Sequence, residues 1–68
     1  MPKKSLFERA LNTDLHSRFI ARAEDLNRDL TDEETVAEIK YHLETLPYKG
    51  LEPEDERRIR RQLKALLK

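Results

Sequence analysis

From Phe7 onward, apolar residues recur at helical intervals: Phe7, Leu11, Leu15, Phe19, Ala23, Leu26 and Leu30 are separated by four, four, four, four, three and four positions. Steps of three and four bring successive side chains to one side of an α-helix, so the run forms a single stripe. Ser5-Leu6-Phe7-Glu8 marks its start, because the Ser5 hydroxyl can accept from the amide three residues on while the Glu8 carboxylate reaches back. The pattern predicts a first helix over about residues 5–30. Asn12-Thr13-Asp14 is its weak point, since short polar side chains compete for backbone hydrogen bonds. A break there gives a short N-terminal helix plus three helices, instead of three in all.

A second start follows at Thr31-Asp32-Glu33-Glu34, again with capping-box spacing and with acids at the positive end of the helix dipole. Val36, Ile39, Leu43 and Leu46 fall within a narrow arc, predicting a helix over about residues 32–46. It stops before Pro47, because the residue preceding a proline is pushed out of the helical region. Pro53 suits the first position of a third helix, over about residues 53–67. Glu54-Asp55-Glu56 lie at its positive end, and Ile59, Leu63, Leu66 and Leu67 form its buried side. There is one Val, no alternating run and a single glycine, Gly50, so nothing reads as a strand or a hairpin. The expected fold is all-α: a small three-helix bundle in a single helical domain over residues 1–68, its second and third helices antiparallel across a short connection.

Composition adds a constraint on stability. Leu, Ile, Val and Phe number 17 of 68 residues, enough for an ordered chain but only for a small core. Domains of this size usually carry a staple, and the lack of cysteine excludes disulfides and thiolate metal sites. A partner protein, or a second copy in a homodimer, is the remaining source of stabilisation. No apolar run exceeds three residues, and Met1-Pro2-Lys3-Lys4 is not followed by the apolar segment of a secretion signal. A cytoplasmic protein with no membrane association is therefore expected.

The 14 basic and 14 acidic residues cancel only in the sum. Residues 1–31 carry six basic and five acidic groups, residues 32–56 two and nine, and residues 57–68 six and none. On the last helix, Arg57, Arg61, Lys64 and Lys68 lie within an arc of about 60°, opposite Ile59, Leu63 and Leu66. This cationic ridge reads as a solvated face paired with nearby acids, as a dock for an acidic protein, or as a track for phosphates. Nucleic acid is the less favoured partner, because the acidic middle of the chain repels it. On the first helix, Leu6, Ala10 and Ile20 lie off the main stripe and, with Phe7, form an apolar surplus suited to a partner protein. If the helix breaks near Asn12, Leu6, Phe7, Ala10 and Leu11 instead fold back and cap the bundle.

Catalytic chemistry finds little support. His16 and His42 are 26 positions apart, and no nucleophile motif, phosphate loop or calcium loop is present. Glu38 and His42, four apart on what reads as the outer face of the second helix, could hold a metal, but a lone pair of this kind usually serves the helix. No enzyme, metal or cofactor is expected. Tyr48, beside Lys49 and Gly50, reads either as a small binding spot or as a ring packed over the core edge with its hydroxyl in water. Tyr41 projects from the flank of the same helix.

Val36, Ile39-Lys40, Leu43, Gly50-Leu51, Ile59 and Leu63 give residues 35–66 a faint similarity to the SAP family of helix, loop, helix DNA-binding modules. The match covers under half the chain. Leu46-Pro47-Tyr48 lengthens the connection, and Pro53-Glu54-Asp55-Glu56 places acids where the family has a second glycine and a lysine. The shared pattern is that of any two-helix unit. The expected function is a small non-catalytic, protein-binding adaptor or regulator, contacting its partner through Leu6, Phe7, Ala10 and Ile20 or through the ridge. The alternative is nucleic-acid binding through Arg57, Arg61, Lys64 and Lys68.

Overall fold

The computed structural model describes residues 4–68, whose regular structure consists of α1 (Leu6–Ala10), α2 (His16–Leu26), α3 (Asp32–Thr45) and α4 (Pro53–Leu66). The chain is all-helical, and the long first helix is divided at its polar weak point. The buried Thr13 hydroxyl donates to the Ala10 carbonyl at 2.7 Å and accepts from the Leu15 amide at 3.3 Å. An unbroken helix pairs both backbone groups internally; here the hydroxyl is the acceptor for the Leu15 amide and shares the Ala10 carbonyl with the Thr13 amide, which donates to it at 3.2 Å. Asp14 then fastens the linker to α4: its amide donates to Gln62 Oε1 at 3.0 Å and its carboxylate accepts from Arg58 Nε at 2.6 Å.

Helix α2 ends earlier than the apolar spacing predicts. Asn27 adopts the left-handed conformation, with φ of 57°. Its amide donates to the Glu24 carbonyl at 3.1 Å, and the Arg28 amide to the Ala23 carbonyl at 3.2 Å. This pair of bonds is a Schellman closure, and Asn is the residue type after Gly that reaches this conformation most easily. Leu30 remains buried although it lies beyond the helix.

The ends of α3 and α4 form as their residues dictate. At the start of α3, the Thr31 hydroxyl accepts from the Glu34 amide at 3.2 Å while Glu34 Oε1 accepts from the Thr31 amide at 2.9 Å. Leu46, before Pro47, is extended (φ −66°, ψ 146°). Arg60 on α4 reaches back to donate to the carbonyls of Leu43 and Leu46 at 3.3 and 3.2 Å, satisfying acceptors that the end of α3 leaves open.

The core is formed by Phe7, Ala10, Leu15, Phe19, Leu30, Ile39, Leu46, Ile59, Leu63 and Leu66, drawn from all four helices and their connections. The short α1 touches each of the other three helices, and α3 also packs on α4. Asp32 Oδ1 accepts from the Leu6 amide at 3.2 Å, joining the start of α1 to the start of α3. Leu67, expected in the core, is 38% exposed because α4 ends at Leu66 and Leu67 only caps it.

The buried face of α3 is turned from the expected one. Thr35, Ile39, His42 and Leu46 are buried, whereas Val36 and Leu43 are half-buried. At about 100° per residue the mean direction of the buried set turns by roughly 50°. Thr35 tolerates full burial because its hydroxyl donates to the Thr31 carbonyl at 2.8 Å.

Asn27 offers a direct check on the α2 stop. Asn27→Gly should keep or raise the urea midpoint, and Asn27→Ala should lower stability by about 1 kcal/mol, since alanine bears the left-handed strain without the side-chain polarity that eases it.

Candidate binding surfaces

The break between α1 and α2 leaves an open groove. Phe7 and Leu11 form one side, Ile20 and Ala23 the other, around a space of about 650 Å³, with Glu24, Asn27, Arg28 and Asp29 at the rim. Of the four residues expected to meet a partner, Phe7 and Ile20 come together here. Ile20 is 39% exposed, while Phe7 is a core residue that contributes only part of its surface to the groove. Ala10 is fully buried and Leu6 is half-buried against the core, so neither lines the groove. The cause is the break itself: α1 folds back onto α3 and α4 and spends its apolar side chains there. Leu11 and Ala23, read from the sequence as core positions, are the additional lining residues. Their half-burial follows from the break and has no separate mark in the sequence.

The rim is unevenly charged. Arg28 is held by Glu34 through two bonds, Nη1 to Oε1 at 2.7 Å and Nη2 to Oε2 at 2.8 Å, and also donates to the Asp29 carbonyl. Glu24 and Asp29 make no ion pair among the described residues. The groove therefore has an apolar floor and a net acidic edge. Glu34 accepts from Arg28 and from the Thr31 amide together, and these bonds hold its carboxyl at about 2, far below the usual 4.5.

The cations of α4, and Lys68 just beyond its end, fall into two sets. Arg58 pairs with Asp14 at 2.6 Å and Asp55 at 2.8 Å, and Arg60 pairs with Glu56 at 2.8 Å. Arg57, Arg61, Lys64 and Lys68 are all exposed, and none forms an ion pair within the described residues. The pairing with Glu54 or with α3 that a purely structural role suggests is not formed.

A third cluster departs from expectation. His42 lies inside, only 5% exposed, with the edge of its ring against Phe19 at 5.7 Å between centroids. The rotation of α3 brings it inward, so Glu38 and His42 do not present an outer-face metal pair. Among the described residues no group of three or more His, Cys, Asp or Glu is arranged to hold a metal ion. His42 Nδ1 is 2.6 Å from the Tyr48 hydroxyl, so that hydroxyl has a protein partner, and the Arg18 guanidinium lies 4.1 Å over the Tyr48 ring. Tyr41 is 59% exposed on the flank of α3.

No helix among the described residues is long and apolar enough to cross a membrane. No protein-family model matches the chain, and neither the curated proteins nor the solved structures contain a significant match.

The Glu34 network predicts acid sensitivity of definite sign. The folded state keeps this carboxyl ionised down to about 2 while the unfolded chain takes up its proton near 4.5, so its contribution is complete above that range and is lost as pH falls through it. The urea midpoint of Glu34→Gln should lie below that of the native chain at neutral pH, and the gap should narrow as pH is lowered toward 2. A gap independent of pH would assign Glu34 no such role.

Proposed function

We propose that this protein is a small non-catalytic adaptor or regulator that binds another protein through the groove between α1 and α2. The observation that carries this reading is the open apolar wall of Leu11, Ile20 and Ala23 beside Phe7, on a chain whose core is too small to leave such surface uncovered without consequence. Groove dimensions and an i, i+3 pair of apolar residues on α2, Ile20 and Ala23, suit an amphipathic helix from the partner. The free acids Glu24 and Asp29 at the rim favour a partner helix with basic flanks. The adaptor works in the cytoplasm under this proposal, and a second copy of the chain is one partner of the same class.

A second reading rests on a separate observation, the unpaired cations Arg57, Arg61 and Lys64 of α4 and Lys68 just beyond it. Their row supports contact with a polyanion such as a nucleic-acid backbone.

The two readings separate by experiment. Capture from lysate with tagged protein, after nuclease treatment, should recover a specific protein with the native chain and lose it with Ile20→Asp, whose exposed position leaves the fold intact by circular dichroism. Recovery unaffected by Ile20→Asp would sink the groove reading. Labelled duplex DNA should show no retardation under the first reading. Under the second it binds with a log–log salt slope of about −3.6 if all four cations meet phosphates, and loses binding with Arg57→Glu and Arg61→Glu together.

A further inference from the structure

The groove between α1 and α2 suits an apolar side chain carried between cations, and the chain itself holds one. Leu67, Ile20 and Tyr41 are the three large apolar side chains left exposed among the described residues. Leu67 directly follows α4 and keeps a helical backbone (φ −87°, ψ −4°), so it stands as a knob at the end of that helix. Lys64 precedes it by three positions and Lys68 follows it, which puts a cation on either side of the leucine. Both lysines are exposed, and neither forms an ion pair among the described residues.

The groove offers the complement. Its floor is Phe7, Leu11, Ile20 and Ala23, and its rim carries Glu24 and Asp29 without a cation partner. Arg28, also at the rim, is committed to Glu34 and does not neutralise them. A lysine can lay its aliphatic stem along an apolar wall while its ammonium stays at the water-filled edge. Lys64 and Lys68 therefore suit the walls beside a seated Leu67, with their ammoniums at the two free carboxylates. Neither Leu67 nor either lysine lines the groove of its own chain, so the fit is made between copies.

Contacts of like with like are disfavoured. Groove against groove sets Glu24 and Asp29 of one copy against those of the other, and α4 end against α4 end sets lysines against lysines. The whole chain carries no net charge, so no overall repulsion holds two copies apart. Helix α1 lines the groove and also packs on α4, so the two patches are separated by a single five-residue helix. That proximity suits a two-fold arrangement in which both contacts form together, closing a pair instead of extending a chain of copies.

We propose that two copies of this chain form a reciprocal dimer in which the α4 end of each, Leu67 between Lys64 and Lys68, seats in the groove of the other. The proposal rests on the groove reading above and names the occupant. The patches are small and their ion pairs lie at an exposed rim, so the dimer is weak, with a dissociation constant on the order of 0.1 mM, and loosens as salt is raised.

The test is sedimentation equilibrium of the native chain at low salt, from about 10 μM to about 1 mM, with circular dichroism in parallel. The native chain should pass from monomer to dimer across that range, and Leu67→Asp and Ile20→Asp, both at exposed positions, should each stay monomeric with helical signal unchanged. Two double variants reverse the charge on one patch at a time. Glu24→Lys with Asp29→Lys should be monomeric alone, because its rim then meets only lysines, and Lys64→Glu with Lys68→Glu should be monomeric alone, because its α4 end then meets only acids. An equimolar mixture of the two should dimerise as the native chain does, since every groove then meets an end of opposite charge; that recovery also shows both variants to be folded. A native chain that stays monomeric to the upper limit would overturn the dimer and leave the groove reading to the capture experiment. Dimerisation of either charge variant alone, a mixture that stays monomeric, or growth beyond two copies would overturn it as well.

Discussion

The hydroxyl of Thr13 and the carboxylate of Asp14 set the fold. The hydroxyl adds to the backbone turn bonds of the chain between α1 and α2, and the carboxylate, with the Asp14 amide, ties that turn to α4. An unbroken first helix of the predicted length would run past the bundle, and its apolar surplus would face water. Broken, it returns α1 across α3 and α4, and a five-residue helix becomes the element that meets all the others. So short a helix has no stability of its own in water, so α1 exists because its neighbours bury Phe7 and Ala10 and because Asp32 accepts its first amide. The open groove is the other product of the same break.

Charge segregation follows from how the arginines of α4 are spent. Arg58 and Arg60 are drawn into the fold by Asp14, Asp55, Glu56 and the carbonyls at the end of α3. Exposed ion pairs of this kind contribute little stability singly, so their value is geometric: they fix where the linker and the α3 terminus sit. Arg57, Arg61 and Lys64, on the outer face between Arg58 and Arg60, and Lys68, just beyond the helix, have no such employment. Their charge is unbalanced by any ion pair among the described residues, and Lys64 lies in the last turn, where the helix dipole favours positive charge.

Much of this architecture is legible in the sequence where a local rule acts alone. The capping box at Thr31 and Glu34, the stop at Leu46 before Pro47 and the start at Pro53 all depend on neighbours within a few residues, and all are present. The break at Asn12-Thr13-Asp14 is visible as a weakness, but its outcome is settled by Gln62 and Arg58, more than forty residues away. The stop at Asn27 carries a usable signal, a left-handed-tolerant residue, that the continued apolar spacing to Leu30 conceals. The inward turn of His42 is not legible, because period alone leaves the arc of α3 uncertain by the width of one residue, and a histidine at the margin reads as polar. The groove is harder still: Leu11 and Ala23 belong to the same stripe as Phe19, and only the fold-back of α1 decides which of them stays partly open.

The bonds from Asp14 to Arg58 and Gln62 span 44 and 48 positions. Contacts in helical bundles are mostly close in sequence, whereas here the linker after the short first helix is held by the last helix in the chain. The chain is therefore a ring closed by a polar clasp: the linker that turns α1 back over the core is tied to the helix that carries the cationic surface.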